Sequence, residues 1–497
     1  MKPTQSDLCR TGCAGLDDIL GQGLPAGHFY LLEGEPGTGK TTLALQFAAE
    51  GVKAGEKVLY ITLSETEKDL SEVARVHHLS LDGLHLLELI PSPEELGPEG
   101  QYTVFHPAEV ELSDRMQTIL TEVDRHKPER LVIDALSEVR MLARDPLRYR
   151  RQILALREYV SGTNCTVLLL DDRTNRDRQL ELHSIVHGVI SLEKVPREYG
   201  KTRRRLEVTK LRGCAFREGY HDYLIRTGGV VVFPRLIAAE HRADKERERV
   251  RSGIPELDAL VGGGLDRGTS TLLMGPAGCG KTSIALRWLA TAAERGENSL
   301  AFLFEETQAT LINRAEGLGV QIGTHLESGH IRVEATDPAE MSPGEFVERI
   351  RHGVEAEDVR LVLIDSLNGF LHAMPGEQFL ALHLHELLTY LSNKGVVTMM
   401  ILAQAGMIGS AMQTPVDLSY LADNILVLRY FEAQGAVRQA ISMIKKRSGN
   451  HERTIRELKL EPGRIGLGKP LTDFQGVLSG IPVLVGQTNG NAAARES

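Results

Sequence analysis

The chain contains two copies of one segment, and this repeat constrains the fold more than any other feature of the sequence. The segment that begins at Thr11, TGCAGLDDILGQGLPAGHFYLLEGEPGTGKTTLALQF, aligns without a gap to the one that begins at Ser252, SGIPELDALVGGGLDRGTSTLLMGPAGCGKTSIALRW. Matching residues such as Lys40 and Lys281 are 241 positions apart. A duplication of this length predicts two domains of one fold, and a chain of 497 residues is long enough to hold both.

Later landmarks keep the same order in the two halves. The stretch RLVIDALS around Asp134 matches RLVLIDSL around Asp365, and EVTKLRG matches SMIKKRSG. A charged stretch between the halves, EHRADKERERV, is typical of a linker. We therefore predict an N-terminal domain over residues 1–240, a linker over 241–250, a C-terminal domain over 251–468 and a C-terminal tail over 469–497.

Apolar runs alternate with helical patterns inside each half. In the first half HFYLLEG is followed by TTLALQFAAEGVKAG and KVLYITLSE, and later by RLVIDAL and CTVLLLDD. Strands that are apolar throughout are typical of a parallel sheet that is buried on both faces. The sequence predicts an α/β fold with two tandem P-loop NTPase domains, each a mostly parallel sheet flanked by helices.

Each half carries one glycine-rich loop of the pattern G-x-x-x-x-G-K-S/T between an apolar strand and a helix. In such a loop the backbone N–H groups surround phosphate oxygens, the lysine neutralises the β- and γ-phosphates, and the hydroxyl that follows it ligates Mg²⁺. The pattern predicts ATP and Mg²⁺ as cofactors. The predicted nucleotide-binding residues are Gly34, Gly37, Thr38, Gly39, Lys40, Thr41 and Thr42, and Gly275, Gly278, Cys279, Gly280, Lys281, Thr282 and Ser283.

Carboxylates follow two further apolar strands of each half. Asp134 and Asp365 end the strands of LVIDALS and LVLIDSL, where an NTPase needs an acid for the Mg²⁺ shell, so we predict metal sites from Thr41 with Asp134 and from Thr282 with Asp365. A general base is also needed near the γ-phosphate.

The candidates for this base differ between the halves. FLFEET offers Glu305 and Glu306, whereas YITLSET has Ser64 in the first of these positions and keeps only Glu65. A carboxylate at either place could also be a solvated strand end. The asymmetry predicts different chemistry at the two sites.

Composition excludes several classes of protein. Hydrophobic residues at 42% and charged residues at 25% are typical of a folded, soluble chain, and no apolar run approaches the roughly 18 residues of a membrane span. Five scattered cysteines favour a reduced, cytoplasmic protein, and Cys9 and Cys13 lack a second pair at zinc-ligand spacing. The net charge of −10 disfavours binding to nucleic acid, and no membrane partner is expected.

These motifs together resemble the KaiC and KaiC-like family of RecA-like double ATPases, over nearly the whole chain. The resemblance rests on both loops, SET and EET, TKLRG before Cys214, KKRSGNHERTIREL and DFQGVLSGIP. It implies a two-tiered homohexamer that binds ATP between neighbouring subunits, and clock or signalling partner proteins. It also implies that Lys210 with Arg212, and Lys445 with Arg447, reach the phosphates of a neighbouring subunit.

The resemblance further implies a serine/threonine autokinase in the second domain. The family's phosphoacceptors align with Ser419, with Tyr420 in place of a threonine, and with Thr414. Glu305 and Glu306 match the pair that activates the acceptor hydroxyl, and Lys281 and Lys40 are the loop lysines of the two catalytic sites. With Ser64 in the water-positioning pair, hydrolysis at the first site is expected to be slow or to depend on Glu65.

Two other functions share the same fold and loops. One is a RecA-like DNA-processing ATPase, which the acidic balance disfavours. The other is a scaffold in which nucleotide binding holds the ring together without kinase activity.

Overall fold

The computed structural model describes residues 8–90, 107–143, 145–173, 182–197, 200–241, 248–337, 339–372, 380–404, 419–478 and 483–484, without the side chains of 107–111 and 372. The chain forms two compact units, Met1–Arg235 and Leu236–Ser497. Leu236 and Ala238 lie in the core of the second unit, whereas the sequence analysis ended the first domain at residue 240.

A nine-stranded sheet forms the centre of the first unit. In spatial order it runs β11-β10-β9-β8-β3-β7-β6-β4-β5, while β1 and β2 pair separately. The strands from β8 to β5 are parallel, and β9, β10 and β11 continue the sheet as antiparallel strands. The strands are β1 Leu8–Cys9, β2 Leu24–Pro25, β3 Phe29–Gly34, β4 Val58–Thr62, β5 Leu84–Glu88, β6 Arg130–Asp134, β7 Thr166–Asp172, β8 Gly188–Val195, β9 Arg203–Leu211, β10 Tyr220–Arg226 and β11 Gly229–Phe233.

Helices cover both faces of this sheet. One face packs on Leu43 and Phe47 of the helix that follows the first loop, and the other packs on Met116 and Ile153. The buried residues alternate between these two cores along each central strand, as the apolar runs of the sequence require. The helices are α1 Ala14–Ile19, α2 Lys40–Lys53, α3 Glu67–Val76, α4 Pro107–His126, α5 Leu136–Ala143 and α6 Pro146–Ser161.

The second unit repeats this sheet. Its spatial order is β16-β15-β17-β18-β14-β19-β20-β21-β22, with the first six strands parallel and the last three antiparallel. The strands are β12 Arg249–Val250, β13 Leu265–Asp266, β14 Ser270–Gly275, β15 Asn298–Leu303, β16 Ile331–Ala335, β17 Val359–Asp365, β18 Val397–Ala403, β19 Asn424–Ala433, β20 Ala436–Lys446, β21 Ile455–Glu461, β22 Arg464–Pro470, β23 Phe474–Gln475 and β24 Val483–Leu484.

Helices again flank the sheet of the second unit on both faces, around one core that includes Trp288 and another that includes Phe346. The predicted fold class, two tandem α/β domains with mostly parallel sheets, is therefore confirmed. Within the described ranges, no helix combines the length and the apolar character that a membrane crossing requires. The helices are α7 Pro255–Leu260, α8 Lys281–Glu294, α9 Gln308–Gly317, α10 Ile322–Glu327, α11 Pro343–Ala356, α12 Leu367–His372 and α13 Leu380–Asn393.

Candidate functional site

The two glycine-rich loops adopt the same conformation at the carboxyl ends of β3 and β14. Gly39 and Gly280 precede α2 and α8 with φ of 96° and 98°, in the left-handed region that only glycine enters without strain. A Cβ at these two positions would lie 2.6 Å from Ile225 Cδ1 and 2.7 Å from Leu460 Cδ1. The backbone conformation therefore favours glycine at the start of each helix, and a larger residue would also displace these two side chains.

Each loop lysine is folded back into its own loop. Lys281 Nζ donates to the carbonyl oxygens of Gly275 at 2.9 Å and Pro276 at 2.7 Å. Lys40 Nζ donates to the carbonyl oxygen of Gly34 at 2.9 Å, and it also pairs with Asp172 Oδ1 at 2.7 Å. The ammonium groups thus lie where an NTP-binding loop holds its phosphates, and the first one carries a carboxylate partner.

The two predicted metal pairs come together in the fold. Thr41 Oγ1 donates to Asp134 Oδ2 at 3.0 Å, and Thr282 Oγ1 donates to Asp365 Oδ2 at 2.7 Å. The contact forms because β6 and β17 end beside the first turns of α2 and α8. A hydroxyl and a carboxylate oxygen at this spacing suit Mg²⁺, which prefers oxygen ligands, so the residues present fit the ion that the loops imply.

Both aspartates are buried, and burial changes their acidity. Desolvation raises the pKa of Asp134, although the hydroxyls of Tyr60 and Thr41 oppose the shift. Desolvation raises the pKa of Asp365 to about 6, with the Thr282 hydroxyl opposing the shift and the nearby charge of Glu306 adding to it. A bound cation at either site would favour the charged carboxylate.

The candidate bases differ in their contacts. Glu305 Oε1 accepts a hydrogen bond from Ser366 Oγ at 2.7 Å, and Glu306 Oε1 pairs with Arg314 at 2.6 Å. In the first unit the matching positions of Glu305 and Ser366 are Ser64 and Ala135, which cannot form this bond. Glu65 remains there, and burial, with a contribution from the charge of Asp134, raises its pKa.

The paired basic residues at the ends of β9 and β20 contact their own chain. Lys210 Nζ donates to the carbonyl oxygens of His183 and, at 2.9 Å, Val186, and Arg212 donates to Ser184 at 2.8 Å. These bonds hold the short segment that leads into β8.

The second unit repeats this arrangement with different residues. Lys445 Nζ donates to the carbonyl oxygens of Ser419 at 2.9 Å and Ala422 at 2.8 Å, and Arg447 donates to that of Tyr420 at 3.3 Å. In both units, therefore, a matching lysine and arginine hold the segment that leads into the strand paired with the loop strand. That strand is β8 in the first unit and β19 in the second.

Comparison with known proteins decides the family. The family described as "ATPase: KaiC" matches residues 9–237 and 250–471. The chain belongs to the KaiC ATPase family. The "Circadian clock oscillator protein KaiC" of Parathermosynechococcus lividus is 26% identical over 499 residues, which cover 98% of this chain and 90% of the relative. The "Circadian clock protein KaiC3" of Synechocystis sp. is 25% identical over 489 residues, or 96% of this chain and 95% of the relative.

The phosphoacceptor positions of the KaiC family lie partly within the described residues. Ser419 is half-buried and its carbonyl is fixed by Lys445, whereas the Tyr420 side chain is 59% exposed. Thr414 lies outside the described residues. The described part of the predicted acceptor segment lies directly before β19, which pairs with the loop strand β14.

Several residues of these KaiC-family sites were not singled out from the sequence. Tyr60 donates to Asp134 Oδ2 at 2.8 Å from the strand next to β6. The Tyr223 hydroxyl donates to the carbonyl oxygen of Thr38 in the first loop at 2.7 Å. The Tyr430 hydroxyl donates to that of Ala277 in the second loop at 3.2 Å. Tyrosines inside apolar strands carry no local signal for such a role. Asp172 did carry a sequence signal, because it ends the apolar strand of CTVLLLDD as Asp134 ends the apolar strand of LVIDALS.

Proposed function

We propose that this KaiC-family ATPase is a serine autokinase at its second nucleotide site and a slow ATPase at its first. Ser419 is the proposed acceptor, and the working form is a homohexamer with ATP at subunit interfaces. The observation that carries the proposal is the hydrogen bond of 2.7 Å between Ser366 Oγ and Glu305 Oε1, beside the Thr282 and Asp365 pair.

The second site has the groups that phosphoryl transfer needs from a protein. Thr282 and Asp365 offer oxygen ligands for Mg²⁺, and Lys281 offers a positive charge inside the loop. Bound Mg-ATP would supply a transferable γ-phosphoryl group. Glu305 or Glu306 would accept the proton of the attacking hydroxyl, and Ser366 fixes the orientation of Glu305 so that its free oxygen can do so.

The acceptor segment is held by the same chain. Lys445 binds the carbonyl oxygen of Ser419, and Arg447 Nη1 pairs with Asp423 Oδ1 at 3.1 Å. The side chain of Tyr420 is exposed, but its phenol is longer and less nucleophilic than the aliphatic hydroxyl of Ser419. We infer that Ser419 reacts at the site of a neighbouring subunit in the ring, with Lys445 and Arg447 positioning it.

The first site has a weaker set of groups for turnover. Ser64 and Ala135 replace the bonded pair of the second site, so Glu65 is the one remaining candidate base of the predicted pair. Burial raises the pKa of Glu65, and no hydroxyl stands at the place of Ser366 to orient a carboxylate. We infer that nucleotide at the first site chiefly stabilises the ring.

Phosphorylation would change a partner surface. A phosphoserine at residue 419 adds about 1.5 to 2 negative charges at neutral pH, which can recruit or release a docked protein. The relatives compared above are named as circadian clock proteins. We propose a signalling or timing role for this chain on that basis.

The kinase assignment is tested by incubating the full chain with γ-labelled ATP and Mg²⁺. We expect labelling of the unaltered chain, its loss in Lys281→Ala and Ser419→Ala, and its retention in Tyr420→Phe. Lys40→Ala should lower the fraction of hexamer measured by analytical ultracentrifugation. It should have a smaller effect on the labelling of rings that are already assembled. Equal labelling of all variants would refute the assignment.

Two results would instead support the other functions. ATPase activity that rises strongly with single-stranded DNA would favour a DNA-processing ATPase. Ring assembly that requires ATP without any label transfer or turnover would favour a scaffold.

A further inference from the structure

Two histidines and a glutamate meet on the outer side of the first unit, away from the loop residues. His85 lies on β5, the edge strand of the sheet, and Glu122 and His126 lie one turn apart at the end of α4. Their ligand atoms, the two imidazole nitrogens and a carboxylate oxygen, all lie within 4.8 Å of one another. In the described part of the chain this is the one such group of three or more residues.

The glutamate lies between the two imidazoles. Glu122 Oε2 is 3.1 Å from His126 Nε2 and 3.8 Å from His85 Nε2. Tetrahedral zinc with bonds of about 2.0–2.1 Å separates its ligand atoms by roughly 3.3 Å, so both distances are close to that spacing. Arg125 approaches the other carboxylate oxygen, Oε1, at 3.5 Å and leaves Oε2 to the histidines.

Within the described ranges, His126 offers a nitrogen that no hydrogen bond occupies, and the His85 ring can move. His126 Nε2 is buried and makes no hydrogen bond among the described residues, since its approach to Glu122 lacks hydrogen-bond alignment. The two rings stack with their centroids 3.7 Å apart. A shared ion needs the His85 ring to tilt away from that of His126, and the His85 side chain is 43% exposed, which gives both this freedom and an entry path.

The second unit has a different pair of residues at the same place. His85 pairs with Leu59 in the sheet as Arg332 pairs with Leu300, and the two leucines match in the repeat. His126 and Glu357 each precede a residue with positive φ that leads into the next strand. In the second unit Arg332 forms an ion pair with Glu357, the residue that follows α11. The first unit has two histidines, His85 and His126, in place of this ion pair.

We propose that His85, Glu122 and His126 bind one divalent transition metal ion of the zinc class. Two imidazole nitrogens and one carboxylate oxygen are a ligand set that zinc accepts with water in the fourth position. Harder ions such as Mg²⁺ and Ca²⁺ prefer sites made of oxygen alone. The bound ion ties the end of α4 to the edge strand β5.

Titration of ZnCl2 into the nucleotide-free, EDTA-treated full chain tests the site by calorimetry. We expect the unaltered chain to bind one Zn²⁺, and His85→Gln, Glu122→Gln and His126→Gln to lose at least about tenfold in affinity, since even outer-shell substitutions cost that much. The matched control is His352→Gln, because His352 Nε2 also lies 3.8 Å from a glutamate oxygen, that of Glu357, in the corresponding region of the second unit. It should bind Zn²⁺ as the unaltered chain does.

Cobalt gives a second measurement that needs no variant. Co²⁺ added to the unaltered chain should produce the visible bands of a tetrahedral nitrogen and oxygen site, and Zn²⁺ should remove them.

The thermal unfolding temperature should rise with ZnCl2 in the unaltered chain and in His352→Gln, but not in His85→Gln. Equal zinc affinity in all four variants, or the absence of tetrahedral cobalt bands, would overturn the proposal.

Discussion

Ser366 Oγ donates to Glu305 Oε1 at 2.7 Å, in the second unit alone of the two repeats. In the first unit Ala135 has no hydroxyl to donate, and Ser64 has no carboxylate to accept. The repeats therefore differ at two residues that touch, beside a threonine–aspartate hydrogen bond that both units share. This is the clearest structural reason to expect different chemistry at the two sites.

Ser366→Ala should slow autophosphorylation while leaving ATP binding intact. A hydrogen bond to a charged group contributes about 1.5–3 kcal/mol, and its loss lets Glu305 leave its orientation, so we expect a rate at least about tenfold lower. The initial rate of label incorporation measures this effect, and an ATP titration measures the Kd.

Thr389→Ala is the matched control, because it also removes a hydroxyl, one that bonds a backbone carbonyl on the exposed side of α13. It should change neither quantity. A parallel loss of ATP affinity in Ser366→Ala would show that Ser366 acts through the loop rather than through Glu305.

The local parts of the sites were predictable from the sequence, and the contacts across the sheet were not. The loops and Asp134 carry local patterns, because a turn and a strand end are set by neighbouring residues. The pairing of Lys40 with Asp172 depends on β7 lying next to β3 in the sheet, a strand order that periodicity does not determine. The same holds for Tyr60, which reaches Asp134 because β4 and β6 are adjacent.

The basic residues Lys210 and Lys445 make contacts that the sequence did not predict. Within one chain each donates to backbone carbonyls of the segment that precedes the adjacent strand, β8 or β19. These contacts depend on the pairing of distant strands, which local sequence patterns do not determine. The expected contact of both lysines with the phosphates of a neighbouring subunit stays a prediction.

Asp172→Asn should tighten ATP binding at the first site. The carboxylate lies 2.7 Å from Lys40 Nζ and competes with phosphate oxygens for the same ammonium. The Asp172 side chain is 30% exposed, so solvent screens the pair and we expect a gain of about two- to fivefold. The measurement is an ATP titration in a Lys281→Ala background, which isolates the first site.

Asp18→Asn provides the control, because Asp18 also forms an ion pair, with Arg217 at 2.9 Å, away from the loop. Its ATP affinity should not change. Weaker binding in Asp172→Asn would mean that Asp172 helps to hold the cation rather than competing for Lys40.

Tyr60→Phe should raise the Mg²⁺ concentration that the first site requires. Within the described part of the chain, Asp134 then keeps the Thr41 hydroxyl as its one side-chain hydrogen-bond donor. The pKa of Asp134 rises further, because the Tyr60 hydrogen bond favours the charged form. Because the variant loses one hydrogen bond to a charged group, we expect the Mg²⁺ concentration for half-maximal ATP binding to rise about tenfold. Tyr30→Phe removes a similar buried hydroxyl, bonded to the Pro25 carbonyl at 2.6 Å, and should leave the Mg²⁺ dependence unchanged.

Asp365→Asn should stabilise the second unit at neutral pH in the absence of nucleotide and Mg²⁺. Burial raises the pKa of Asp365 from 3.8 to about 6, so between these values the folded chain holds a proton that the unfolded chain has released. The free energy of unfolding therefore falls as pH rises through this window, and the loss is complete above about pH 6. Asparagine keeps the shape and the acceptor for Thr282 but cannot ionise.

We expect a gain in unfolding free energy of up to about 3 kcal/mol near pH 7.5, which shrinks as pH falls through about 6 toward 4. Urea unfolding followed by fluorescence reports on this unit, because Trp288 is the single tryptophan of the chain and is buried in the core of the second unit. Asp473→Asn, at an exposed carboxylate of the same unit, should leave the pH dependence as it is.

The gain in unfolding free energy of Asp365→Asn should come with loss of Mg²⁺-dependent ATP binding at the second site, since residue 365 would no longer offer a charged oxygen to the cation. A variant that is destabilised at neutral pH would show that the charged carboxylate is already compensated within the folded chain.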